Sequence, residues 1–222
     1  MAQAPNPTPQ RAITALLGLT FVTGLIDAAS VLGLGHVFVA NMTGNVVFIG
    51  FGLLGQGNIS LPGALLALFG FLCGAGGGGR LARGTSARGL RVGFTLDVAL
   101  LALGAGSVWL TQSPLPTLLL LAAAVGLRTA LVRSLAIPDI PTTVLTLTIT
   151  GIAADSSIAG GTNVRLGRRV ASILAMLVGA SLGALLHARA GAAILPTVTG
   201  LEALAALLLL SGLPSSPREP HA

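Results

Sequence analysis

The sequence predicts an all-α integral membrane protein of two inverted repeats, with six full transmembrane helices and two interrupted or re-entrant segments. Three observations carry that expectation: the composition, a near-constant offset between similar features in the two halves, and the placement of the arginines. The 222 residues are 53% hydrophobic and only 8% charged, and the mean hydropathy is +0.91. Such a composition cannot dress a surface in water. Each crossing of the hydrocarbon core takes about 20 mostly apolar residues. Apolar runs fall at 12–34, 37–56, 61–82, 91–111, 114–133, 140–157, 169–189 and 192–211, which leaves no room for a soluble domain. The expected organisation is a tail over 1–10, one membrane domain over 11–212 divided into halves 11–112 and 113–212, and a tail over 213–222, with both tails disordered.

The repeat shows on self-comparison. Gly74 and Gly78 fall on Gly179 and Gly183, and Leu96-Asp97 falls on Leu201-Glu202, each at an offset of 105. At slightly smaller offsets Thr43 falls on Thr146 and Asn45 on Thr148. An acid inside an apolar run is rare, so its recurrence argues for duplication. Each half then reads as one long helix, one interrupted segment and two further helices.

Arginine placement selects the layout, because cytoplasmic loops carry the excess of basic residues. With eight spans and an inside N-terminus, Arg80, Arg83, Arg88, Arg91, Arg133 and Arg189 would all lie outside. If the second and sixth runs dip in and return, every arginine at a helix end except Arg189 is cytoplasmic. Eight or seven full spans are the alternatives. The sixth run adds a local argument, since Thr146-Leu147-Thr148-Ile149-Thr150 alternates with period two and is rich in β-branched residues, a pattern that suits extended backbone. A helix whose threonines bond back to the preceding turn is the competing reading.

Four polar residues of the first run, Thr20, Thr23, Asp27 and Ser30, share one helical face. A carboxylate there costs about 2.5–3.5 kcal/mol by insertion scales unless it is partnered or protonated. Arg128, buried in the fifth run, is the expected counter-ion, and the pair serves either a transport path or helix register. Asp97 and Glu202 form a second, symmetry-related pair of acids, for which a proton site, a cation site or a structural role is expected. Asp97 lies close enough in sequence to Arg91 to pair with it near the interface. Glycines every fourth residue, at Gly70, Gly74 and Gly78 and at Gly179 and Gly183, let helix backbones approach closely.

Enzyme chemistry has little footing, and no catalytic residue, metal site or cofactor is expected. His36, His187 and His221 lie far apart, and neither a zinc-binding helix nor a nucleophile elbow is present. The net charge of +6 comes from arginine alone, with no tyrosine and a single tryptophan to stack on bases, so nucleic acid is not an expected partner. Cys73 is the only cysteine, which excludes an intramolecular disulfide.

Gly24-Leu25-Ile26-Asp27-Ala28-Ala29-Ser30, followed by His36-Val37-Phe38-Val39-Ala40-Asn41-Met42-Thr43-Gly44-Asn45, resembles the YoaK family of bacterial membrane proteins. Leu135-Ala136-Ile137-Pro138 and Thr142-Thr143-Val144-Leu145-Thr146 resemble that family's second motif. The resemblance marks Asp27, Asn41, Thr43, Gly44, Asn45, Thr142, Thr143 and Thr146. Where the family commonly has glycine after the motif threonine, this chain has Leu147.

The expected function is a small-solute transporter or channel-like permease of the bacterial cytoplasmic membrane. Its path would run beside Asp27, Asn41, Thr43, Gly44, Asn45, Arg128, Thr142, Thr143, Thr146 and Thr148. The alternative is a non-transporting structural or accessory subunit. Expected partners are the bilayer, the solute and a second copy docked through glycine-rich helix faces.

Overall fold

The computed structural model describes residues 10–83, 87–111, 113–137 and 145–211. Eight α-helices run through them: α1 Gln10–Gly33, α2 Met42–Leu53, α3 Leu61–Leu81, α4 Ala87–Leu110, α5 Leu115–Ser134, α6 Thr146–Ala154, α7 Leu166–Ala190 and α8 Ile194–Ser211. Short 3-10 turns fall at Ser157–Ala159 and Gly191–Ala193. The two tails and the stretch bearing Thr142 and Thr143 lie outside the described residues.

Five stretches are long and apolar enough to cross a membrane, the last being Leu166–Ser211. That stretch breaks into α7 and α8 at Gly191, whose φ of 57° and ψ of −136° suit a residue without a Cβ. The other two helices are too short to cross. At 1.5 Å per residue, the 12 residues of α2 and the 9 of α6 reach only about 18 and 14 Å, against a hydrocarbon core of about 30 Å.

The period-two threonine stretch is helical, not extended, which corrects the sequence reading. Thr146–Thr150 forms the first turns of α6, and the Ile149 amide donates to the Leu145 carbonyl at 2.8 Å. Magnitudes explain why. A β-branched residue forfeits at most about 0.7 kcal/mol of helix propensity, whereas each backbone group left unpaired in lipid costs several kcal/mol.

The most buried elements are α1 and α5, with 67% and 61% of their spans enclosed against 33–39% for the rest. They begin 105 residues apart. The halves interlock around them: α3 packs along α5, and α1 along α7. Glycines make those contacts close. A Cβ on Gly74 would run into the Ala123 carbonyl of α5, and one on Gly179 into the Phe21 carbonyl of α1. The outward faces carry exposed Phe69, Leu72, Leu103, Leu177 and Leu207, surface suited to lipid.

Gly74→Ala and Gly179→Ala should each destabilise the folded protein by about 1–3 kcal/mol, because backbone must move to admit the methyl. Gly76→Ala, with nothing within 4 Å of the added atom, should cost nothing. Thermal unfolding of the three variants in detergent checks this ranking.

Candidate functional site

The polar face of α1 points inward, with Thr20, Thr23 and Ser30 at 0% exposure and Asp27 at 5%. Thr20 and Thr23 donate to the carbonyls of Leu16 and Leu19 at 2.9 and 2.8 Å. Asp27 reaches out of its helix instead. Its Oδ1 accepts the amides of Val39 at 3.1 Å and Ala40 at 2.9 Å. Six residues separate Asp27 from the end of α1 at Gly33, a depth of about 9 Å. The chain therefore leaves α1, turns back to the depth of Asp27, and begins α2 there. The Ser60 amide then donates to the Gly35 carbonyl at 3.0 Å, placing the start of α3 beside the end of α1.

Asn45 completes this turn. Fully enclosed, its amide accepts from the Phe38 amide at 2.9 Å and donates to the Phe38 carbonyl at 2.6 Å, acting as a substitute strand partner. Asn41 caps α2 by accepting from the Gly44 amide at 3.3 Å. Residues 37–41 cannot pair their backbone within a helix, so these side chains supply what lipid cannot.

Each short helix encloses a single polar residue. Asn45 is the one buried residue of α2, and Thr148, its counterpart in the repeat, is the one buried residue of α6. The C-terminal end of α6 is pinned to the start of α7, where Arg169 donates to the Gly151 carbonyl and to Asp155, each at 2.6 Å. A cation at that end also complements the helix dipole.

Between the two short helices lies a cavity of about 810 Å³. Its polar lining is Asp27, Asn41, Thr43, Thr129 and Thr146, set among Phe38, Met42, Phe71, Ile149 and Met176. Both helices present their N-terminal turns to it, α2 through Met42, Thr43 and Gly44 and α6 through Leu145 and Thr146. Among the described residues, no side chain caps the start of α6. Leu147, which follows the motif threonine, is 77% exposed.

Arg128 lies apart from this cavity and does not pair with Asp27, contrary to the sequence reading. With 0% exposure, it forms a salt bridge with Glu202 and donates to Thr23 Oγ1 at 2.8 Å. One oxygen of the Asp27 carboxylate is taken by backbone amides, and Arg128 meets Glu202 on α8 instead. Asp97 is likewise not paired at the interface with Arg91. It is fully enclosed, within electrostatic range of Glu202 and Arg128.

Of the sequence-predicted site residues, the cavity gathers Asp27, Asn41, Thr43, Gly44 and Thr146. Asn45 and Thr148 are buried in the short helices and do not line it, and Arg128, Asp97 and Glu202 form a separate cluster. The sequence reading missed the Arg128–Glu202 bridge and the amides of Val39 and Ala40. The bridge had a signal: Thr23 and Arg128 stand at the same offset of 105 as Asp97 and Glu202. The backbone contacts of Asp27 had none.

A family model described as a protein of unknown function (DUF1275) matches residues 15–208. The chain belongs to the DUF1275 family. It is also 43% identical over 61 residues to the UPF0700 transmembrane protein YoaK of Bacillus subtilis (strain 168), a stretch covering 28% of this chain and 27% of YoaK. The chain thus aligns with about a quarter of that relative's length. No solved structure matches. Family membership and the apolar helices together make this a multi-pass membrane protein of the DUF1275/YoaK family.

Hydrogen bonds to a charged acceptor contribute about 1.5–3 kcal/mol each, so Asp27→Ala in this DUF1275 protein should release the turn before α2. Hydrogen exchange at the Val39 and Ala40 amides should quicken at least tenfold, with exchange in α4 unchanged. Equal protection in variant and wild type would show that Asp27 does not hold the turn.

Proposed function

We propose that this DUF1275 protein is a small-solute transporter or channel-like permease of the bacterial cytoplasmic membrane, with six spans and two re-entrant segments in inverted halves. The observation that carries the reading is the cavity of about 810 Å³ bounded by the starts of both short helices. Helices that stop inside a bundle place unpaired amides and a positive dipole end at depth, the arrangement by which transporters bind solutes near the midplane. A volume of that size suits a small molecule, and the mix of hydroxyl, amide and apolar lining suits one with both polar and apolar parts.

The inverted layout draws support from the same local geometry. The contact between Ser60 and Gly35 has the segment around α2 return to the end of the bundle it left. In the second half, Arg169 holds the end of α6 to the start of α7. With both segments re-entrant, the exposed arginines Arg80, Arg83, Arg88, Arg91, Arg133 and Arg165 gather on one side, as the positive-inside rule requires.

In proteoliposomes, uptake screened across small amines, anions and neutral polar solutes should reveal at least one class carried faster than in empty vesicles. Thr43→Val and Thr146→Val, which remove cavity hydroxyls without burying new charge, should each cut that rate several-fold. Absence of uptake for every class, with the protein folded and correctly reconstituted, would favour a non-transporting subunit.

A further inference from the structure

Four side chains meet where the halves interlock, and they form two repeat-related pairs. Thr23 on α1 and Arg128 on α5 are 105 residues apart, as are Asp97 on α4 and Glu202 on α8. All four show 0% exposure. Arg128 donates through its two terminal nitrogens to Glu202 Oε2 and Thr23 Oγ1, and its Nε meets no acceptor among the described residues. Glu202 Oε1 and both carboxyl oxygens of Asp97 are left without a hydrogen-bond partner among the described residues. Asp97 and Glu202 sit on helices that pack together, α4 against α8, within interaction range of one another, and neither can donate a hydrogen bond while both are ionised.

Charge balance points the same way. Two carboxylates against one guanidinium leave a net negative charge enclosed away from bulk solvent, an arrangement that buried sites do not tolerate. Among the described residues, the other ionisable group in range is Asp27 on α1, which is also acidic and makes the imbalance worse. On α7, Arg169 is engaged elsewhere with Asp155. One proton on the acid pair removes the net charge of the Asp97, Arg128 and Glu202 cluster and provides the missing donor. Neighbouring carboxyls that cannot both ionise share a proton in this way.

We propose that Asp97 and Glu202 share one proton and form, with Arg128, a proton-binding site between the two halves. A metal cation does not fit, since Arg128 already supplies positive charge and no three metal-ligating side chains cluster among the described residues. The site is separate from the cavity, whose lining includes none of the three. It therefore stands whether or not a solute crosses there. The two are nevertheless adjacent: Thr129 follows Arg128 on α5 and lines the cavity, as does Asp27.

Infrared spectroscopy of the full chain in lipid bilayers at neutral pH tests this directly, because a protonated carboxyl has a C=O stretch well separated from that of a carboxylate. The wild type should show a protonated-carboxyl band from a buried site. Asp97→Asn and Glu202→Gln should each abolish it, since either variant leaves one acid opposite Arg128 and nothing to share. Asp27→Asn should leave the band in place. Asp97→Asn should also unfold within a few degrees of wild type, as an amide replacing a neutral acid group of the same shape. A wild type with no such band would overturn the proposal without recourse to any variant. So would a band that survives both substitutions, or one lost in a single variant only, which would place the proton on one residue.

Discussion

Every irregular feature of this bundle answers to one constraint: a backbone amide or carbonyl inside lipid must find a partner within the protein. Where the chain is a continuous helix the constraint satisfies itself. It bites at residues 37–41, which leave α1 and turn back toward its middle before α2 begins. There the partners are side chains, the Asp27 carboxylate for the amides of Val39 and Ala40 and the Asn45 amide for both backbone groups of Phe38. The polar residues that stand out in an apolar sequence are thus first a solution to a folding problem. A cavity between two short helices becomes feasible only because that problem is solved.

The same constraint explains why the second half is not a copy of the first in detail. In α2 the interruption is held by a buried asparagine, and in α6 the corresponding position is Thr148. A threonine hydroxyl can bond to its own helix and costs little in lipid, so a short helix can begin in the threonine-rich stretch without an asparagine clamp. Arg169 and Asp155 then fasten its far end. Close helix contacts through Gly74 and Gly179 join each half to the other, so neither half encloses its central helix alone.

Much of this was legible in the sequence, and what escaped it did so for identifiable reasons. Hydropathy and length marked the membrane helices, and the polar residues singled out in the apolar runs, Asn45, Thr148, Asp97 and Glu202, are all buried. The α6 threonines misled because period-two patterning speaks to packing on a sheet, whereas in lipid the backbone's need for partners outweighs a few tenths of a kcal/mol in propensity. The pairing of Arg128 escaped because Asp27 is the nearer match by position in the repeat. Which acid an arginine meets is decided by what else that acid can bind. Asp27 had backbone amides available, a choice that no side-chain pattern encodes.

The claim that α2 enters and leaves from one side can be separated from a full crossing by comparing two positions. With Cys73→Ser as background, Gln10→Cys stands at the start of α1 and Gln56→Cys follows α2. A membrane-impermeant thiol reagent applied to sealed, oriented vesicles reads the side on which each lies. Labelling of the two positions from opposite faces is the result predicted, since α1 alone then crosses between them. Labelling of both from the same face would mean that α2 crosses as well, and would contradict the account.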